Sequence, residues 1–313
     1  MSDRNPTLRI ATRKSQLALW QAEHVADLLR RAHPGLPVEL MPMSTKGDRI
    51  LDRSLAAIGG KGLFIKELEV ALEEKHADIA VHSMKDVPGE LPAGFVIAAV
   101  LERADPRDAL LAPRTQTVTV GDLPVGARVG TSSLRRQAQL LALRPDLRIE
   151  GLRGNVNTRV GRLDSGELDA IILACAGLIR MGWEGRITGR LAPDVFVPAV
   201  GQGVIGIECR SDDAATRALL EVLNHAATRI VLDAERAFAG RLGGSCQSPI
   251  AAYATLAGDG LTLDGLVAEP DGSRLLRDTM RGVADQPRRL GVQLAERVLA
   301  AGAGPLLERL RGD

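Results

Sequence analysis

The chain has 313 residues, with 40 Lys and Arg against 39 Asp and Glu and a net charge of +1. That balance argues against a protein organised around bulk polyanion binding, while leaving room for a local basic cleft. Its aromatic side chains are 4 Phe, 2 Trp and 1 Tyr, too few for a single-strand nucleic-acid binder built on stacking platforms.

At about 150 residues per domain the length suggests two or three domains, and no stretch reaches the ~18 apolar residues that span a bilayer. The opening segment MSDRNPTLRIATR lacks the apolar core of a signal peptide, so a cytoplasmic protein is expected. Cys175, Cys209 and Cys246 are far apart and form no CxxC spacing, and no metal site is expected.

Leu8–Arg13 is predicted to be a strand. A helix follows, with Leu17, Trp20, Gln21, His24, Val25 and Leu28 on one face, ending before Pro34. Residues 37–43 form a second strand, and 44–60 a long loop. The spacing of Leu63, Phe64, Leu68 and Leu72 predicts a helix over 61–75. Strands are expected over 78–82 and 94–101, with the loop SMKDVPGELP between them. The charged, Pro-bearing segment 102–109 is a candidate crossover. A second series then repeats the strand–helix alternation: ARVGT into SSLRRQAQLLAL, LRIEGLRG into NVNTRVGRLDSG, and a buried strand in LDAIILACAGL. Residues 195–210 carry Pro and Gly before the strand VIGIEC, a second crossover back to the first domain. After helices near 219–223 and 230–238 and the Gly-rich loop RLGGSCQSP come three antiparallel strands, with Gly-Asp and Asp-Gly turns, and a last helical region over 286–310. The fold class is α/β: two parallel-sheet domains with a central cleft and a small α+β C-terminal domain.

Three segments carry candidate chemistry. In GTSSLRRQ, Thr131, Ser132 or Ser133 can cap a helix whose free N–H groups favour an anion. Arg135 and Arg136 stand in its first turn, where the macrodipole favours acidic residues; a bound anion would offset that cost. Arg13 beside Ser15, Arg153, Arg159 and Arg180 likewise lie at or just past the carboxyl ends of predicted strands, the edge that faces the ligand crevice in open α/β sheets. Basic residues are 34 Arg and only 6 Lys. Codon bias explains much of that count, so position carries the argument. No P-loop occurs. In HSMKDVP, Asp86 beside Lys85 is a candidate general acid/base or cation stabiliser, although from the residues alone a turn-forming Asp paired with Lys is the favoured reading. In GGSCQSP, Cys246 is the one plausible nucleophile or attachment site; Cys175 and Cys209 sit in apolar runs as inert core thiols.

The segments LRIATRKSQLALWQA, GDRILDRSLAAIGGKGLFIKELE, ADIAVHSMKDVP, DPRDA, VGTSSLRRQ, LRGNVNTR, DAIILACAGL, VPAVGQG and ERAFAGRLGGSCQSPI resemble the porphobilinogen deaminase family, in its order and nearly end to end. The resemblance implies an enzyme that condenses four porphobilinogen units, head to tail with loss of ammonia, onto a dipyrromethane cofactor and releases a linear tetrapyrrole. It implies a thioether from that cofactor to Cys246, since a soft thiolate traps the electrophile left when ammonia departs. It makes Asp86 the catalytic carboxylate. It assigns Arg13, Ser15, Lys85, Thr131, Ser133, Arg135, Arg136, Arg153 and Arg159 to the cofactor. Arg13, Arg153, Arg159, Arg180, Phe64 and Gln202 are assigned to the substrate and growing oligopyrrole chain, and Lys61 to the segment beside the site. Each pyrrole unit brings an acetate and a propionate, which suit guanidinium pairing. The implied fold has two domains resembling periplasmic binding proteins, over 5–101 with 204–221 and over 107–197, and a third over 226–313 carrying the Cys246 loop. Gly243, Ser245, Ser248 and Cys175 depart from the residues usual in the family. No nucleic acid, no membrane and a monomer are expected. The rival reading is a non-catalytic two-domain binding protein for a small anion, which would need the Arg set but neither Asp86 nor Cys246.

Overall fold

The computed structural model describes residues 7–45, 65–113, 118–244 and 248–312. Lys61, Phe64, Cys246 and all but the first two residues of the expected 44–60 loop lie outside the described residues. The chain divides into two compact units, residues 1–103 with 204–229 and residues 104–203 with 230–313. No helix among the described residues is long and apolar enough to cross a membrane.

In the first unit, β1 (Leu8–Arg13), β2 (Val38–Met43), β3 (Ile79–Ser83), β4 (Phe95–Val100) and β10 (Ile205–Arg210) form one sheet in the order β2-β1-β3-β10-β4. β1 runs parallel to β2 and β3, but β10 is antiparallel to both β3 and β4. The sheet is therefore mixed, not parallel as expected. The outgoing and returning chains run side by side, Leu101 N donating to Ile205 O at 3.0 Å, so the returning strand must point the other way.

Helix α1 (Gln16–Ala32) is capped by Ser15, which accepts from Ala18 N. It buries Ala18, Gln21, Ala22, Val25, Ala26 and Leu29. That face is turned from the one expected. Three alanines let the helix lie close on the sheet, while Trp20 and His24 stack on the outside with centroids 5.1 Å apart. On the other sheet face, α2 (Lys66–Glu73) sets Leu68, Ala71 and Leu72 against Ala11 and Ala80. Its described part is shorter than the expected 61–75: it starts at Lys66 and stops at Glu73, with Lys75 at a positive φ of 58°.

β3 leads into a single 3-10 turn, Met84–Asp86, where the sequence predicted plain loop. Met84 N donates to Val204 O at 2.9 Å. The buried Met84 side chain fills the space over Gly206, where a Cβ would stand 2.1 Å from its sulfur. Gly206 is thus what lets the turn that carries Asp86 seat on β10.

In the second unit, β5 (Asp108–Leu111), β6 (Arg128–Gly130), β7 (Arg148–Glu150), β8 (Ala170–Ala174) and β9 (Gly189–Leu191) are ordered β7-β6-β8-β5-β9. β6 is parallel to β7 and β8; β5 is antiparallel to β8 and β9, so this sheet is mixed too. The crossover expected to reach residue 109 ends earlier, because Asp108 opens a strand that is buried throughout. The three-residue β9, with Arg190 at its centre, has no apolar run to announce it. Helices α3 (Leu134–Leu143), α4 (Val156–Asp164) and α5 (Cys175–Arg180) follow β6, β7 and β8.

After α6 (Ala214–Leu220) of the first unit and α7 (Ala226–Arg241), the antiparallel strands β11 (Ile250–Ala257), β12 (Gly260–Ala268) and β13 (Leu275–Val283) stand as predicted. Phe238 of α7 and Leu294 and Val298 of α8 (Pro287–Val298) share their core with Leu263 and Val267, joined by Leu306 and Leu307 of α9 (Gly304–Gly312).

Gly206→Ala should overpack this seat and lower the unfolding free energy by about 1–3 kcal/mol, read by urea denaturation. Wild-type stability would show that Met84 has room to move.

Candidate functional sites in the two units

In the second unit, the end of β6 is built from local hydrogen bonds. Ser133 is the cap of α3, accepting from Arg136 N at 3.4 Å. Thr131, buried, accepts from Ser133 N at 3.2 Å and its own N–H donates to Glu150 O. The Ser132 hydroxyl accepts from Leu152 N at 2.9 Å and donates to Leu152 O at 3.1 Å, which fixes the segment leading to Arg153. The three hydroxyl residues therefore divide the work that the sequence left open among them.

Arg135 and Arg136 do not extend into solvent. They are 5% and 6% exposed and converge on Asp108, which is fully buried. Arg135 donates to both Asp108 oxygens, Nη1 to Oδ2 at 2.8 Å and Nη2 to Oδ1 at 3.1 Å, and Nη1 also reaches Val197 O at 2.8 Å. Its guanidinium lies over the Phe196 ring, 5.8 Å from the centroid. Arg136 Nε donates to Asp108 Oδ1 at 2.8 Å and Nη1 to Ile172 O at 2.9 Å. The anion that the sequence expected at this helix start is thus supplied in part from within the chain. Burial alone would raise the Asp108 carboxyl, but the two guanidiniums hold it well below the usual carboxylate range. Burial lowers the Arg136 guanidinium; Asp108 opposes this and Arg135 adds to it. A guanidinium nevertheless keeps its proton. One carboxylate against two guanidiniums leaves one positive charge uncompensated among the described residues of this cluster.

Further basic residues lie in the same unit. Arg153 follows β7 and is half-buried, which lowers its pKa. Arg159 sits in α4 with Nε donating to Gly154 O at 2.8 Å. Arg180 ends α5, donates to Gly203 O at 2.7 Å and is pushed down to about 10 by burial. Gln202 is buried, its Nε2 donating to Pro106 O at 2.7 Å.

In the first unit, Arg13 ends β1, Ser15 caps α1, and Lys85 and Asp86 occupy the turn after β3. Asp86 is half-buried, and its carboxylate makes no hydrogen bond or ion pair among the described residues. The pairing of Asp86 with Lys85 that the residues alone suggested is absent. A carboxylate on such a turn, without a partner among the described residues, is available to a cationic or N–H-bearing ligand.

The two described cysteines are inert. Burial, with Asp105 adding to it, pushes the Cys175 thiol up to about 12; burial and Asp213 push Cys209 up to about 11. Asp108 was missed in the sequence because it follows a charged, Pro-containing segment. The signal that could have found it is the short apolar run Ala109–Ala112 directly after it, long enough for a buried strand.

A family model described as "Porphobilinogen deaminase, dipyromethane cofactor binding domain" matches residues 8–218, and one described as "Porphobilinogen deaminase, C-terminal domain" matches residues 230–300. Among solved structures, the VFT2 domain of Bordetella pertussis BvgS, a double mutant, is 15% identical with a TM-score of 0.41, over 69% of this chain and 86% of that one. YhfZ from Shigella flexneri is 16% identical with a TM-score of 0.36, over 74% of this chain and 93% of its own. The periplasmic aliphatic sulphonate binding protein SsuA from Escherichia coli is 16% identical with a TM-score of 0.40, over 76% and 70%.

Asp108→Asn should cost about 3–5 kcal/mol of unfolding free energy at pH 7, because it strands two buried guanidiniums. In the wild type, the contribution of Asp108 is complete above the unfolded-chain value of about 4 and is lost as pH falls through its lower folded value. Urea unfolding between pH 7 and pH 2 should show that acid limb in the wild type and a shallower one in the variant. Equal stability at pH 7 would contradict the role given to this carboxylate.

Proposed function

The chain belongs to the porphobilinogen deaminase family, and we propose that Asp86 is its catalytic carboxylate and Cys246 the residue that carries its dipyrromethane cofactor. The family activity is synthesis of hydroxymethylbilane from porphobilinogen on that cofactor. Within this proposal the substrate and growing chain are held by Arg13, Arg153, Arg159, Arg180, Phe64 and Gln202. The cofactor is held by Arg13, Ser15, Lys85, Thr131, Ser133, Arg135, Arg136, Arg153 and Arg159. The division into domains over 5–101 with 204–221, 107–197 and 226–313, the monomeric state and the cytoplasmic location belong to it as well.

The residues present fit the cofactor. Its acetate and propionate groups are anionic at neutral pH, and the Asp108 cluster retains one unneutralised positive charge in a largely buried setting. A carboxylate drawn there replaces its hydration with charge-assisted hydrogen bonds from groups already fixed in place, so little ordering entropy is lost. Ser133 and Thr131 stand one turn or less from the same guanidiniums. Thiol chemistry favours Cys246 as the attachment point, because Cys175 and Cys209 are buried and held protonated well above neutral pH. When bound, dipyrromethane supplies the pyrrole carbon to which the first substrate unit is joined.

The observation that carries the catalytic reading is Asp86 itself. As ammonia leaves porphobilinogen, positive charge develops on the pyrrole and its N–H becomes a stronger donor. A fixed carboxylate accepting from that N–H stabilises the charge more in the transition state than in the ground state, which is what accelerates the step. Because Asp86 has no partner among the described residues, no contact among them has to be broken before it does so. The Arg residues bind side-chain carboxylates of the ring equally before and after the charge forms, so they hold and orient rather than accelerate. An anion-binding protein would have no use for a carboxylate here.

Asp86→Asn should lower kcat by about 100-fold or more, the scale on which one charge-stabilising group acts, with melting temperature and cofactor content by intact mass unchanged. Turnover near that of the wild type in a folded, loaded variant would overturn the assignment.

A further inference from the structure

A second buried polar group lies on the strands that lead to the Asp86 turn, and it has no part in the chemistry above. On the sheet face covered by α2, His82 of β3 is opposite Gly206 of β10, and Glu208 is opposite Ala80, so His82 and Glu208 share that face on a cross-strand diagonal. His82 Nε2 and Glu208 Oε2 are 2.7 Å apart, with His82 5% exposed and Glu208 fully buried. The two atoms are in close polar contact, and neither has another hydrogen-bond partner among the described residues. Glu69 of α2 closes over the pair, and its Oε1 is also buried without a hydrogen-bond partner among the described residues. Burial, then the charge of Glu208, raise the Glu69 carboxyl above its usual value, against the pull of His82 and Lys66.

Such an arrangement is costly. Polar groups buried in an apolar layer lose their hydration, and an apolar trio of the same volume would be at least as stable. What the group does supply is direction. His82, Met84 and Gly206 occupy one face in succession, and the next element is the turn that ends at Asp86. Met84 over Gly206 fixes the height of that turn on the sheet. It is an apolar contact and resists sliding along the strand weakly. A short polar contact two residues earlier, between one atom on β3 and one on β10, opposes a slip or rotation of the strand end.

We propose that His82 is a positioning residue for Asp86: its buried pairing with Glu208, closed over by Glu69, holds the end of β3 on β10 so that the Met84–Asp86 turn presents its carboxylate in one place. This rests on the reading of Asp86 as the catalytic carboxylate. The role is separate from general stability, because a carboxylate displaced by about 1 Å can cost on the order of 100-fold in rate while the fold survives.

The test compares two polar, uncharged replacements in the loaded enzyme, beside Asp86→Asn. In His82→Gln the amide nitrogen stands where Nε2 does and can still donate to Glu208. In His82→Asn it is too short to reach. His82→Asn should lower kcat about tenfold with KM changed less than about twofold and full cofactor content by intact mass, whereas His82→Gln should restore kcat to within about threefold of wild type. A purely structural role would lower the melting temperature of both variants and leave the kcat of the folded enzyme alone. If His82→Asn does not fold, Glu208→Met decides: it keeps the length of the side chain, removes the oxygen that faces Nε2, and should lower kcat about tenfold at full cofactor content. Wild-type kcat in folded His82→Asn or Glu208→Met, or an equal loss in His82→Asn and His82→Gln, overturns the inference while the loss in Asp86→Asn leaves the catalytic reading standing. Wild-type turnover in Asp86→Asn would instead remove the reading beneath it.

Discussion

One carboxylate, Asp108, organises the second unit. It is fully buried at the start of β5, and two guanidiniums from the first turn of α3 close on it. Through Arg135 the same cluster holds Val197, and through Arg136 the strand β8 at Ile172. Gln139, one turn further along α3, accepts from Val197 N at 2.7 Å and donates to Val197 O at 3.1 Å. Strand, helix and the segment before residue 204 are thereby tied at one point. Charges buried this deeply are expensive, and they persist because each is satisfied by a partner in good geometry. The surplus positive charge among the described residues is what separates this cluster from an ordinary internal ion pair.

Two further carboxylates, Asp78 and Glu235, are likewise spent on internal partners. Asp78 is bidentate with Arg9, accepting from Nε at 3.1 Å and Nη2 at 3.0 Å. Glu235 accepts from Gly201 N at 2.7 Å and Ala254 N at 2.8 Å, joining α7 to β11 and to the loop that carries Gln202. These are anions whose capacity is spent on the fold. Asp86 is half-buried and spends none among the described residues. That difference from Asp78 and Glu235 is what the role proposed for Asp86 rests on.

Much of this was legible in the sequence. The order of strands and helices follows from periodicity and from hydroxyl residues at helix starts such as Ser15 and Ser133. What was not legible depends on partners far away in the chain. The antiparallel placement of β10 follows from where the chain re-enters the sheet, which no local window contains. The true buried face of α1 is made of alanines, whose small size matters only once the sheet is beneath them. Arg135 and Arg136 were marked as an anomaly at a helix start, and the anomaly was real. Its internal counter-ion lay 27 residues upstream of Arg135, inside a segment whose charge and proline suggested only a break. Glu69 and Glu208 were likewise invisible, because a buried carboxylate on an apolar face looks like a solvated one until the layer above it is known.

The most direct measurement is the intact mass of the purified protein together with a peptide map of its cysteines, for the wild type and for Cys246→Ser. The account predicts a wild-type mass above that of the polypeptide by two linked pyrrole units, the increment on the peptide containing Cys246, Cys175 and Cys209 unmodified, and no increment in the variant. An increment that survives Cys246→Ser, or an active wild-type enzyme whose Cys246 is a free thiol, would contradict it.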